Sequence, residues 1–107
     1  MDMASVRGVS HNVFGNSYLL EVAAAIHDAP SARITRKELA DATGLDKGLV
    51  SVAVNKLLRA GLLDLLEVDG RERPFARLSS TFWAGSSDLL TELQSDTLDR
   101  RSSNTPR

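Results

Sequence analysis

Lys47, Gly48, Ser51, Val52, Asn55 and Arg59 are the residues of this chain whose types and spacing could do the most chemistry. Val50, Ala53, Val54 and Leu57 repeat at i, i+3, i+4 and i+7 and must face inward if the segment is helical, which leaves the first set on the remaining faces. An asparagine amide can bond adenine through two hydrogen bonds, and a lysine can donate to guanine O6 and N7. A serine hydroxyl can bond a base or a phosphate, and a valine offers apolar contact to a thymine methyl. The same arrangement also fits the solvated face of an amphipathic helix that closes a core and does nothing more. At this stage both readings stand.

Other chemistry has little to work with. His11 and His27 are the only histidines and there is no cysteine, so no metal-ligand set is expected and both histidines read as surface residues. No nucleophile elbow, phosphate-cradling glycine loop or paired carboxylate site can be picked out, and the expectation is no enzyme activity and no cofactor. An effector pocket between the first and last helices has no polar group to mark it. The 107 residues, 42% of them apolar, suit one compact domain. The absence of cysteine fits a reducing compartment, no apolar run reaches the length of a membrane span, and the N-terminal MDMASVRGVSHN lacks the apolar run of a secretory signal. A cytoplasmic protein with no membrane partner is therefore expected. The net charge of −1 is unhelpful for a polyanion partner, but its distribution is informative: residues 33–77 carry nine Lys or Arg against seven Asp or Glu.

The elements that would hold the first set in place can be read from caps and periodicity. Residues 1–13 are polar and aperiodic and read as a flexible arm. In GNSYLLEVAAAIHDAP, Leu19, Val22, Ala23 and Ile26 recur at helical spacing behind an Asn16 or Ser17 cap, and Pro30 forbids continuation. SARI is a short extended piece. Thr35 and Glu38 form the two halves of a capping box, so a helix starts there, carries Leu39 and Ala40 inward and ends at Gly44. Asp46 caps the next helix, which Gly61 terminates. LLDLLEVDGRERPFARLSS has two β-capable arms around Asp69-Gly70, and Pro74 demands an edge strand or a break. STFWAGSSDLLTEL predicts a helix whose seam pairs Phe82 with Leu89, Trp83 with Leu90 and Ser86 with Leu93, with a break near Gly85. Residues 95–107 are polar and read as a disordered tail.

The order helix, short strand, helix, helix, strand, turn, strand, helix resembles the winged helix-turn-helix fold of bacterial transcriptional regulators of the ArsR and MarR kinds. The resemblance is carried by ELADATGLDKGLVSVAVNKLLRAGLL, with Leu39, Ala40, Gly44, Leu45, Val50, Val54, Leu57 and Ala60-Gly61-Leu62 at the family's core and turn positions. It implies an α+β, mainly α domain over residues 14–94: a three-helix core, a β-hairpin wing and an additional C-terminal helix. It also implies a sequence-specific regulator that binds double-stranded DNA. Lys47, Gly48, Ser51, Val52, Asn55, Lys56 and Arg59 would lie on the reading helix, Arg36 and Lys37 on phosphate, and Arg71 and Arg73 at the wing tip. Val52 departs from the long polar or basic residue often found at its place. For the wing arginines, the alternative is neutralisation by Glu67, Asp69 and Glu72. A homodimer through Leu19, Phe82, Trp83, Leu89, Leu90 and Leu93 is expected, against the alternative that this last helix packs on its own domain. The alternative function is a winged-helix module that docks onto a protein partner.

Overall fold

In the computed structural model, which describes residues 2–68 and 70–104 and side chains as far as residue 95, a helix stands where the sequence predicts an arm. Helix α1 (Met3–Phe14) begins at Asp2, whose carboxylate accepts from the Ser5 N–H at 2.9 Å, and ends at Gly15 with φ 74°. The backbone N–H of Ser5, and then its side chain, hold the Asp2 carboxyl below its ordinary range. Gly8 and the β-branched residues of this segment weaken its local helix preference, so packing must stabilise it. Val6 is buried with Leu20 and Leu93, and the buried Ser10 hydroxyl donates to Asn16 O at 2.7 Å while accepting from the Leu20 N–H at 3.0 Å. Arg7 adds an ion pair to the nearly buried Glu21 at 2.7 Å, a hydrogen bond that raises the arginine's pKa.

Helix α2 (Leu19–Asp28) is buried along most of its circumference and forms the centre of the domain. Neither expected cap is used as such: Tyr18 is the N-cap, without a side-chain bond, and Asn16 Oδ1 accepts from its N–H at 2.8 Å to make the lead-in turn. At the other end, Arg77 Nη1 donates to the Ile26 and His27 carbonyls at 2.8 and 2.9 Å, satisfying orphan acceptors of the last turn.

Strand β1 (Arg33–Ile34) leads into α3 (Arg36–Thr43), where the capping box of Thr35 and Glu38 is complete and Gly44 closes the helix at φ 73°. Helix α4 (Lys47–Arg59) starts at Asp46, which accepts from Gly48 N–H. Strands β2 (Leu63–Leu65) and β3 (Phe75–Arg77) complete an antiparallel sheet of order β1-β3-β2. Pro74 stands at the break before the central strand, and its carbonyl accepts from Leu66 N–H at 2.9 Å. Gly70 has the positive φ, 67°, that the turn requires, while Asp69 lies outside the described residues.

Helix α5 (Thr81–Asn104) runs without the break expected at Gly85. That glycine faces solvent, and its cost of about 1 kcal/mol is offset by what the helix buries around it. Trp83 enters the core and donates from Nε1 to Leu78 O at 2.8 Å, Ser86 is buried, and Phe82 stands edge-on to Phe14. The helix continues to Asn104 in place of the expected disordered tail, with residues 105–107 outside the described residues.

Five helices and a small three-stranded sheet make a mainly helical α+β winged-helix fold, as expected. The interface expectation needs revision. Leu19, Trp83 and Leu93 are 5%, 3% and 4% exposed within one chain and belong to its own core. Phe82, Leu89 and Leu90 remain half-buried. Among the described residues no helix is long and apolar enough to cross a membrane.

Candidate nucleic-acid interface

Four buried residues fix the rotation of α4. Val50, Ala53, Val54 and Leu57 are at most 2% exposed, which turns Lys47, Gly48, Val52, Asn55 and Arg59 to solvent and leaves Ser51 half-buried. The capping box sets the start of α3 beside this face, with Arg36 half-buried and Lys37 exposed.

Two cations are tied across elements. Arg36 Nη2 donates to Asn55 Oδ1 at 3.2 Å, and its guanidinium carbon lies 5.7 Å from the centroid of the fully buried Phe75 ring. Lys47 Nζ meets Glu72 Oε1 at 3.3 Å, joining the first turn of α4 to the wing. Arg73 Nε donates to Leu66 O at 2.9 Å across the hairpin, and Arg71 is exposed beside Gly70. Among the described residues, Glu72 therefore pairs with α4.

Lys56 and Arg59 sit apart from this group. They line a groove of about 400 Å³ with Phe14, Leu57 and Phe82, and Lys56 Nζ lies 3.9 Å from where a Cβ on Gly15 would stand. Glu72 and Phe75 escape sequence reasoning because nothing local links Glu72 to Lys47 or Phe75 to Arg36. A larger cavity, about 620 Å³, opens among α1, α2, α3 and α5, with Ala24, Ala25, Ile34 and Leu90 on its walls and Arg7, Glu21, Asp28 and Glu38 among its polar groups. His11 is exposed and His27 half-buried, and the described residues contain no group of three or more acidic or histidine side chains that could hold a metal.

A helix-turn-helix whose second helix shows a polar face, backed by a β-hairpin wing, defines the winged-helix class. The MarR family profile matches residues 20–73, half of the chain, from α2 through Arg73 of the hairpin, and the chain belongs to the MarR family. Members of that family are regulators rather than enzymes, and membership points to a DNA-binding transcription regulator. No curated protein and no solved structure matches the chain.

Proposed function

We propose that the protein is a sequence-specific transcription regulator that inserts α4 into the major groove of double-stranded DNA and lays its wing on the adjacent minor groove or backbone. The outer face of α4 carries this reading: Lys47, Gly48, Ser51, Val52 and Asn55 stand opposite the buried stripe, with Arg36 and Lys37 on one side and Arg71 and Arg73 on the wing. Arg59 and Lys56 extend the positive charge toward the end of α4, where they suit phosphate. No added metal or cofactor is required.

The working form is a homodimer in the cytoplasm. With Trp83 and Leu93 in the monomer core, the surface left for a second copy is the edge where Met3 and Val9 of α1 adjoin Leu89 and Leu90 of α5. A two-fold pair would set two reading helices about one DNA turn apart, roughly 10 base pairs between half-site centres.

Fluorescence anisotropy with a random-sequence duplex pool, at low and at moderate salt, tests the reading. Affinity should fall steeply with salt as phosphate contacts are lost. A protein that binds no DNA at low salt supports the second reading, docking onto a protein partner. The exposed Val52 on α4 and Leu65 and Val68 on the wing favour that second reading.

A further inference from the structure

We infer that Arg36 is a base-reading residue, held by Asn55 and Phe75 for two-bond recognition of a guanine, and that Asn55 positions it instead of reading adenine. The inference rests on the DNA-binding reading above and reverses the roles that residue type alone suggests for the two side chains.

The first observation is direction. A phosphate contact at a helix N-terminus asks only for a charge near the backbone N–H groups. Arg36 instead crosses from the first turn of α3 to the exposed face of α4, bringing Nη2 to 3.2 Å from Asn55 Oδ1. Lys37, exposed at the same terminus, is left for the phosphate.

The second is rigidity. Phe75 is fully buried in the central strand, and the Arg36 guanidinium lies 5.7 Å from its ring centroid, within the range of a cation–π contact. One edge on an amide oxygen and one face near a fixed ring leave the fork little rotational freedom. A point contact to phosphate has no use for such restraint, whereas recognition of a planar base edge does.

The third is donor and acceptor matching. Arginine only donates, so the amide orientation of Asn55 is settled: its oxygen faces Arg36. Adenine recognition needs that oxygen to accept from N6 while the amide nitrogen donates to N7. Arg36 takes one of that oxygen's two lone pairs and so fixes the direction in which the amide points. Arg36 has five N–H donors, of which Asn55 takes one, and the planar fork that remains matches the paired acceptors O6 and N7 of guanine.

The test separates a fork from a charge. Sites are selected from random DNA with wild type, Arg36→Lys, Asn55→Ala and the double variant, and anisotropy on single-base changes measures each preference. Wild type is expected to favour guanine at one position of the site by about tenfold or more. Arg36→Lys keeps the charge but not the fork, so that preference should fall below about threefold. Asn55→Ala should weaken preference at the same base, and in the double variant it should cause no further loss there. Neither side chain is itself part of the core, and Arg36→Lys keeps an aliphatic stem and a cation to lie beside Phe75. The inference is overturned if Arg36→Lys leaves every base preference intact, or if Asn55→Ala relaxes an adenine position that Arg36→Lys does not touch. In either case wild-type binding to its selected site leaves the DNA-binding reading standing. A wild type that selects no DNA overturns both.

Discussion

Replacing Glu72 by Gln should tighten DNA binding. Among the described residues, Glu72 is the acid of the wing that pairs with α4, at 3.3 Å from Lys47 Nζ, with side chains 35% and 56% exposed. A pair this exposed contributes about 0.2–1 kcal/mol to folding, so Glu72→Gln should lower stability by no more than that. The effect on binding has the opposite sign. In the wild type, Lys47 must exchange a carboxylate for a phosphate, and that carboxylate also faces the duplex at less than a Debye length, about 10 Å at 0.1 M salt. Removing it should raise affinity for all sequences by roughly fivefold at low salt, about 1 kcal/mol, and steepen the slope of log K against log salt by up to about 0.9 if Lys47 gains one full phosphate contact. Sequence preference should not change. Anisotropy across a salt series with a selected duplex and an unrelated one measures all three quantities. If Glu72→Gln weakens binding to both duplexes at low salt while the fold is intact, the pair is a strut that holds Lys47 in place, and the reasoning from charge exchange is wrong.

Ser10→Ala, a substitution usually mild on a surface, should cost about 1–3 kcal/mol in urea unfolding, because it orphans the Asn16 carbonyl and the Leu20 N–H that its buried hydroxyl joins. Asp2 stabilises α1 through its ionised form, and its folded pKa is depressed; the contribution is therefore present above the ordinary aspartate range and lost as pH falls through the folded value. Asp2→Asn should flatten that part of the helical circular dichroism signal between about pH 5 and 2. Leu90→Asp should convert a dimer to a folded, weakly binding monomer in sedimentation at micromolar concentration, and a wild type that sediments as a monomer on an asymmetric single site rules out the dimer through this edge.

What the sequence made legible was whatever is governed by neighbours in the chain. The Thr35–Glu38 capping box, the Asp46 cap, the Gly44 stop and the Val50–Leu57 stripe are all local devices, and each is found in place. Helix α1 was hidden because its stability is tertiary: Val6 and Ser10 are buried, Met3, Val9 and Phe14 pack half-buried beside them and Arg7 pairs with Glu21, while Gly8 and the polar residues between weaken the local helix signal. Gly85 misled for the same reason, since local propensity predicts a break that the burial of Trp83 and Leu93 overrides. The α5 seam was visible, but its partner was not. A period of seven reports that one side of a helix is covered without reporting whether the cover is the same chain or another copy. On the reading face, residue types were legible and pairings were not, because Arg36 meets a residue 19 positions away and Lys47 one 25 positions away.

Those two pairings have opposite consequences for a chain whose net charge is only −1. Asn55 is neutral, so it restrains Arg36 without cancelling its charge. Rotamer freedom lost before binding is not lost again on the duplex, a saving of about 0.5–1.5 kcal/mol for a side chain as free as arginine. Glu72 is an anion, so it restrains Lys47 and also competes with phosphate for it. Truncating Asn55 should therefore weaken binding to the preferred site, whereas neutralising Glu72 should strengthen binding to every site. Specificity falls in the first case, because the correct site is held less well, and is unchanged in the second, because a phosphate contact is gained on every duplex alike. If the proposed function holds, specificity in so nearly neutral a chain depends less on total charge than on how few of its cations are left free to bind any duplex they meet.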